Sequence, residues 1–336
     1  MPGAPGRPVE SGRVEESEEP GRPGVPGALR GSVRSRVLAA ALRRTLRPLL
    51  ERTPVTPETL RRARGITGGL APLLGPVPFG TTVRRIPLPG CHADLVRTGR
   101  DTGTRRAVLY AHGGGFVLGS ARLWRAQVAR LSALTGSPVL AVNYRMVPEH
   151  RVDDGVQDCV DAYRWLLDQG RTGEDVVLAG DSAGANLAFA VALRARERGL
   201  PRPAGIAATS PWLDLAATGP SYTANRLLDP FLPARAAADV ARMCAVDVEP
   251  NAPELSPCYA DLRELPPVLI QVGSLDLLRS DGELMARRLR QAGVPCDLSV
   301  WHGQMHAFTL LAALLPEARA AVRELAYFAA RPTGHG

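Results

Sequence analysis

The feature that most constrains the fold of this 336-residue chain is the pentapeptide Gly180-Asp181-Ser182-Ala183-Gly184. The apolar run Val176–Ala179 precedes it, and the helix-forming run Ala183–Arg198 follows it. A G-x-S-x-G sequence between a strand and a helix places its serine on a sharp turn, with Oγ projecting from the edge of a sheet. The flanking glycines leave room for that turn. We therefore expect Ser182 to be presented at the end of a buried strand.

The rest of the chain supports an α/β fold around that strand. Continuous apolar strands such as Val268–Val272 are typical of a parallel sheet covered by helices on both faces. We predict a mostly parallel, eight-stranded sheet whose first strands form a meander. The strands are predicted at Thr82–Leu88, His92–Arg97, Ala107–Ala111, Val139–Tyr144, Val176–Ala179, Gly205–Thr209, Val268–Val272 and Asp297–Trp301. The helices are predicted at Leu123–Thr135, Val156–Gln169, Ala183–Arg198, Gly282–Ala292 and Glu317–Ala330.

The N-terminal part divides into a tail and a helical segment. Residues 1–31 are rich in Pro, Gly, Glu and Arg, which predicts a disordered tail before a single domain over residues 32–336. Apolar residues with helical spacing predict an amphipathic helix over Val33–Arg52, kinked or ended by Pro48. Its apolar face either packs on the protein or touches a membrane, and we favour packing because such faces usually lie on a core. A shorter helix is predicted from Pro57, with Thr56 as its N-cap.

One stretch interrupts the alternation of strands and helices. Leu213–Leu265 contains many prolines and no convincing strand, although a helix is predicted over Pro233–Cys244. Long insertions in compact domains usually serve function, often as a lid. We therefore expect this stretch to cover the serine. Four of its apolar residues either line a substrate site or only pack the cap: Leu227, Leu228, Phe231 and Leu232.

A glycine run supplies the second chemical signal. His112-Gly113-Gly114-Gly115-Phe116 comes directly after the predicted strand Ala107–Ala111. Backbone N–H groups exposed by glycines can hold the oxyanion that forms when a serine attacks a carbonyl. We assign this role to the N–H groups of Gly114, Gly115 and Ala183. A phosphate-binding turn is disfavoured, because the run lacks the Lys-Ser/Thr of a P-loop and any G-x-G-x-x-G.

A nucleophilic serine requires a base and a carboxylate that orients it. In α/β hydrolases these follow in the order serine, acid, histidine. His306 lies just past the last predicted strand, and we favour it over His302 at the strand end. Asp276 follows strand Val268–Val272 and is the predicted acid. Its main rival, Asp281, lies further into a helix start and is expected to cap or support that turn.

Composition limits the remaining classes of function. The formal net charge is +8 and all cations are arginines, but they are scattered, which disfavours a nucleic-acid partner. Five separated cysteines form no C-x-x-C pair, so neither a zinc site nor a disulfide framework is indicated. No apolar run is long enough for a membrane span, and no signal-peptide core is evident. We expect a cytoplasmic protein that needs no metal or organic cofactor and acts on a small molecule, with a homodimer as a further expectation.

Taken together, these motifs resemble the hormone-sensitive-lipase-like family of α/β-hydrolase esterases over about residues 80 to 330. The resemblance also includes Tyr144–His150, Ser210–Asp214 and Asn186. It implies an α/β-hydrolase fold with a cap from about residues 33–74 and 213–265. The sequence departs from the common pattern at several positions, which bear on the rim of the pocket: Val147, Arg151-Val152-Asp153-Asp154, Ala185 and Ser280.

The resemblance implies a serine esterase acting on short to medium acyl chains through an acyl-serine. Three alternatives remain open. In the first, the protein is a hydrolase of an amide, a lactone or a specialised acetylated metabolite, because the same residues can attack the carbonyl of each. The second is a ligand-binding relative without catalysis, and the third is a membrane-surface protein that uses Val33–Arg52.

Overall fold

The computed structural model describes residues 31–67, 69, 71–99 and 102–331. The predicted tail, residues 1–31, therefore lies outside the described residues except for Gly31. The described strands are β1 Thr81–Pro87, β2 His92–Thr98, β3 Ala107–Ala111, β4 Val139–Asn143, β5 Val176–Asp181, β6 Gly205–Thr209, β7 Val268–Gly273 and β8 Cys296–Trp301. The α-helices are α1 Val33–Arg44, α2 Leu46–Arg52, α3 Pro57–Thr67, α4 Arg125–Thr135, α5 Val152–Asp168, α6 Ala183–Glu197, α7 Ser221–Ala224, α8 Ala234–Cys244, α9 Arg279–Gln291 and α10 Pro316–Ala330.

The strands form one sheet in the order β1-β2-β4-β3-β5-β6-β7-β8. The β1–β2 and β2–β4 pairs are antiparallel, and every later pair is parallel. The predicted meander and the mostly parallel eight-stranded sheet are both confirmed. Strands β3, β5, β6 and β7 are buried along their whole length, which explains their uninterrupted apolar sequences.

Helices cover both faces of this sheet. On one face α4 and α10 pack on alternate strand residues such as Val108 and Tyr110. On the other face α5, α6 and α9 pack on the intervening residues, among them Leu109 and Leu178. The alternation follows from the two-residue period of a strand. Because β5 to β8 are parallel, the carboxyl ends of β5, β7 and β8 lie along one edge of the sheet. The loops that carry Ser182, Asp276 and His306 begin at this edge.

The predicted helix over Val33–Arg52 is two helices that meet at Thr45. Pro48 causes the break three residues before its own position, because a proline ring clashes with the carbonyl four residues earlier. Inside the first turn of α2 its missing N–H removes no helical hydrogen bond. Helix α3 begins at Pro57 as predicted, and Thr56 Oγ1 accepts the N–H of Thr59 at 3.2 Å.

Two helices begin three or more residues before their predicted starts, whereas the starts of α4, α8 and α10 differ from prediction by one or two residues. Helix α5 begins at Val152, four residues earlier than expected, because Asp154 accepts the N–H of Arg151 at 2.9 Å and caps the first turn. Helix α9 begins at Arg279 rather than Gly282. Both starts lie in charged or glycine-containing segments, where apolar periodicity gives no signal.

The N-terminal helices and the insertion between β6 and β7 lie against each other. Helix α1 buries Ser35 and Ala39 beside a cluster that includes Trp301 and Phe308, as expected for a helix packed on its own protein. Helix α2 contacts α8, the helix predicted within the insertion. None of the helices in the described part of the chain has the length and apolar character needed to cross a membrane.

Candidate active site

Ser182 occupies a tight turn between β5 and α6. Its backbone has φ 54° and ψ −122°, a conformation that L-residues rarely adopt. The turn closes because Gly184 lies so near β3 that a Cβ there would overlap the carbonyl of Ala111. The strained turn keeps Ser182 at the sheet edge, where the residue is 5% exposed.

His306 and Asp276 complete a line of hydrogen bonds with Ser182. The Ser182 Oγ lies 3.0 Å from His306 Nε2, and His306 Nδ1 lies 3.0 Å from Asp276 Oδ1. All three side chains are buried. The structure thus brings together the serine, the histidine and the acid proposed from the sequence, in the geometry of a nucleophile, a base and an orienting carboxylate.

The loops after β7 and β8 hold the histidine and the acid in register. The Leu275 N–H donates to the Gln304 carbonyl at 2.9 Å, and the Gly303 N–H donates to Ser274 Oγ at 2.9 Å. Behind the histidine, the Ala307 N–H donates to Ser210 Oγ at 3.1 Å. The two loops are therefore bonded directly to each other and to the end of β6.

The glycine loop after β3 lies beside the serine turn. Asp181 fixes it, because Oδ1 of this buried carboxylate accepts the Gly113 N–H at 3.2 Å and the Tyr110 hydroxyl at 2.8 Å. Within the described residues, no hydrogen bond to protein is found for the backbone N–H groups of Gly114, Gly115 and Ala183. Three amides near the serine turn are thus available to an oxyanion.

The two rival residues have other positions. His302 is exposed, and its carbonyl accepts from Gln304 Nε2 at 3.3 Å. Asp281 is buried in α9, and its Oδ2 accepts the N–H groups of Leu213 and Asp214, each at 3.0 Å. Asp281 therefore supports the start of the insertion rather than the start of its own helix.

Comparison with known proteins places this geometry in a family. A model of the α/β-hydrolase fold matches residues 108–310. This chain belongs to the α/β-hydrolase family. It is 41% identical over 270 residues to "Esterase LipU" of Mycobacterium tuberculosis, covering 77% of this chain and 90% of the relative. It is 38% identical over 246 residues to "Acetyl-hydrolase" of Streptomyces hygroscopicus, covering 73% and 82%.

Two solved structures that are similar to this chain, an esterase and a lipase, belong to one group, the hormone-sensitive lipases. The crystal structure of an esterase from the bacterial hormone-sensitive lipase family matches with a TM-score of 0.82 and 32% identity, over 90% of this chain and 99% of that one. A second hormone-sensitive lipase, from a metagenome library, matches with a TM-score of 0.82 and 28% identity, over 91% of this chain and 100% of the other. The resemblance to the hormone-sensitive-lipase-like group is confirmed.

Buried acids control the charge around the histidine of this α/β hydrolase. Burial alone lowers the pKa of His306, but the charge and hydrogen bond of Asp276 outweigh it, with Asp229 and Asp181 adding to the rise. The pKa of His306 is therefore raised above its ordinary value. Burial raises the pKa of Asp181 to about 6, against the opposing effect of its bond from Tyr110. His112 behaves differently, because burial lowers its pKa to about 4 and keeps it neutral.

Asp229, Asp276 and His306 also form the one group among the described residues that could share a metal ion. Their hydrogen bonds occupy most of the same atoms. His306 Nδ1 faces Asp276, and both oxygens of Asp229 accept backbone N–H groups. Hydrogen bonds within the protein therefore explain why Asp229, Asp276 and His306 lie close together.

Sequence analysis missed several side chains that support this site from helix α3 and from the insertion between β6 and β7. Arg64 of α3 donates to the carbonyls of Val117 and Val147 beside the glycine loop. Asn225 donates to the carbonyl of Asp276 at 2.7 Å. None of these residues belongs to a motif, and each contacts a partner that is distant in sequence. A single sequence carries no signal for such pairs.

Proposed function

We propose that this chain hydrolyses carboxylic esters with Ser182 as nucleophile, His306 as general base and Asp276 as the orienting acid. The hydrogen-bonded line from Ser182 Oγ to Asp276 Oδ1 is the observation that carries the proposal. The names "esterase" and "acetyl-hydrolase" of the relatives support it. We propose the fold as one domain over residues 32–336, with cap elements at 33–74 and 213–265.

The reaction proceeds in two steps. His306 Nε2 accepts the proton of Ser182 Oγ while Oγ attacks the ester carbonyl, and the N–H groups of Gly114, Gly115 and Ala183 stabilise the oxyanion. The proton then passes to the alcohol oxygen, the alcohol leaves, and an acyl-serine remains. Water gives its proton to His306, attacks the acyl-serine, and releases the acid as Ser182 recovers its proton. Each oxyanion donor contributes about 2.7–4 kcal/mol of transition-state stabilisation.

The cap favours short to medium acyl chains. A methyl group built at Gly115 would lie 3.5 Å from Val240 of α8 and 3.7 Å from Trp212. Both side chains are buried, and Phe116 packs on Trp212 with ring centroids 5.9 Å apart. Apolar walls this close to the oxyanion loop leave limited room for a long chain. An amide, a lactone or an acetylated metabolite is the alternative substrate, since the same groups would attack its carbonyl.

We further propose that the protein acts on a small-molecule ester in the cytoplasm. All five cysteines are unpaired, which supports a reducing compartment. The homodimer stays a prediction, which light scattering of the purified protein tests.

The decisive experiment compares wild type with Ser182→Ala on p-nitrophenyl acetate, butyrate and octanoate. Hydrolysis is expected to favour one of the shorter esters and to fall by about 10⁴-fold or more in the variant. A fluorophosphonate should label wild type at Ser182. A folded wild type with neither turnover nor labelling would refute the esterase and leave the ligand-binding relative. Labelling without turnover would retain the nucleophile and point to one of the alternative substrates.

A further inference from the structure

The cap brings a second buried carboxylate to the catalytic histidine and acid. Asp229 lies between α7 and α8 and is fully buried. Its carboxylate, that of Asp276 and a ring nitrogen of His306 all offer atoms within 4.8 Å of one another. The hydrolytic steps described above do not use Asp229. Burial of a carboxylate costs free energy unless hydrogen bonds replace its hydration, so its contacts indicate what it does.

The two oxygens of Asp229 hold two different parts of the molecule. Oδ1 accepts the N–H groups of Phe231 and Leu232, at 2.9 and 3.2 Å, and so folds the turn that leads into α8. Oδ2 accepts the N–H of Leu277 at 2.9 Å. Leu277 follows Asp276 directly in the chain. The carboxylate therefore ties the cap to the backbone of the catalytic acid.

Neighbouring contacts reinforce this connection. Asn225 Nδ2 donates to the carbonyls of Asp276 and Ser274, at 2.7 and 3.1 Å. Arg47 of α2 donates to the carbonyl of Asp229 itself. The cap therefore binds the acid loop at the carbonyls of Ser274 and Asp276 and at the N–H of Leu277. Among the side chains that make these bonds, Asp229 is the acidic one, and its carboxylate lies close to His306.

Three carboxylates influence the imidazole. Asp276 bonds to it directly, while Asp229 from the cap and Asp181 from the serine turn act through space to raise the pKa of His306 against the effect of burial. Burial, followed by repulsion from Asp276, raises the pKa of Asp229 itself above its ordinary value. The N–H groups of Leu277 and Phe231 act in the opposite direction because they stabilise the charged carboxylate, and that charge favours the imidazolium.

We propose that Asp229 is a positioning residue that fixes the Asp276 loop and stabilises the imidazolium formed when Ser182 gives up its proton. The inference rests on the proposed function, because it assigns Asp229 to the same Ser182–His306–Asp276 set. It makes the cap part of the acid–base machinery and not only a cover over the substrate. Removal of the cap's carboxylate should then alter proton transfer, while substrate binding changes little.

The test is Asp229→Asn, which keeps the size of the side chain and removes its charge. The acidic limb of the kcat profile is expected to move down by about 0.5–1 pH unit, because loss of a nearby negative charge lowers the pKa of His306. Plateau kcat should fall about three- to tenfold, because a weaker base removes the serine proton less effectively. KM should stay within about twofold. Asp229→Glu retains the charge and should return the limb toward its wild-type position.

Asp214→Asn is the matched control. Asp214 is also a buried acid of the insertion, and its carboxylate accepts the N–H groups of Ala216 and Thr218 at 3.1 and 2.8 Å. The main influences on the pKa of His306 come from burial, Asp276, Asp229 and Asp181 and not from Asp214. Its loss should lower stability without moving the acidic limb. An equal shift in both variants would mean general loosening of the cap and would overturn the proposal.

NMR titration of His306 in the Ser182→Ala background gives a readout that does not need turnover. Asp229→Asn should lower the pKa of His306 in this background as well. An unchanged His306 pKa and an unmoved limb would overturn the role of Asp229 while leaving the esterase intact. A wild type without esterase activity, but with the expected change in His306 pKa, would reject the proposed function alone. Should Asp229→Asn not fold, Asp229→Ser, which also lacks charge, enters the same comparison.

Discussion

The serine turn and the cap are held together in different ways. At the sheet edge, backbone lies directly on backbone, as where Gly184 meets the carbonyl of Ala111. In the cap, arginine side chains reach distant carbonyls, as where Arg64 contacts Val117 and Val147. The first arrangement leaves almost no freedom to the catalytic atoms. The second fixes the cap through a few long side chains, so substitution of these arginines should alter stability more than chemistry.

The largest effect in this comparison is expected from Gly114→Ala. Gly114 has φ +113°, and a Cβ there would overlap the Leu118 carbonyl, so the loop must shift and take its N–H away from the oxyanion. We expect kcat to fall about 10²- to 10³-fold. The measurement is p-nitrophenyl acetate hydrolysis under saturating conditions.

Gly80→Ala provides the control for that variant. Gly80 also has a positive φ, +75°, but an added Cβ would meet nothing within 4 Å. It should lose about 1 kcal/mol of stability through backbone strain and keep its kcat. A similar loss of kcat in both variants would contradict the role given to the Gly114 amide.

Arg64→Met tests the cap side and should have a smaller effect on chemistry. The guanidinium donates to two carbonyls and pairs with Glu149 at 2.7 Å. Its loss should reduce the free energy of unfolding by about 1–2 kcal/mol, because buried carbonyls lose charged donors. Hydrolysis should fall less than about tenfold. Urea denaturation and kcat/KM measure the two quantities.

Arg62→Met is the matched substitution on the same helix. Arg62 pairs with Glu58, but both side chains are largely exposed, at 74% and 65%. Stability should change by less than about 0.5 kcal/mol, since exposed ion pairs contribute little. Equal losses of stability in the Arg62 and Arg64 variants would show that the bonds from Arg64 to the two carbonyls do not stabilise the protein.

The smallest expected effect concerns the pH dependence of the wild type, whose acidic limb should differ from that of an ordinary histidine. His306 must be neutral to accept the proton of Ser182, so activity rises as pH increases through its pKa. Because that pKa is raised, the acidic limb of kcat/KM should lie above the ordinary histidine value of about 6.5. A limb below that value would mean that burial outweighs the three carboxylates. The profile is measured with p-nitrophenyl acetate in buffers of constant ionic strength.

The sequence predicted the sheet and the serine turn well because both depend on short-range patterns. A fully buried strand such as β5 must be continuously apolar, and a G-x-S-x-G placed between such a strand and a helix indicates a serine turn. The candidate acid and histidine followed from chain order, since each comes after a strand of the same parallel sheet. The structure places both beside Ser182.

Contacts within the cap were beyond prediction. Asp229 and Leu277 are 48 residues apart, and Arg64 and Val147 are 83 apart. Neither Asp229 nor Arg64 belongs to a motif, and a side chain that reaches a backbone group places no demand on the identity of its partner. The early start of α5 was missed for a related reason, since its first turn depends on a bond between Arg151 and Asp154.

Arg47 has a consequence for how such enzymes diversify. This buried guanidinium, contributed by α2, donates to the carbonyls of Arg226 and Asp229 in the insertion. A chimera that replaced only one of the two cap segments would either deprive Arg47 of these two acceptors or leave the two carbonyls without this donor. The N-terminal helices and the insertion should therefore be exchanged as a pair when the substrate range is re-engineered, and inherited together during evolution.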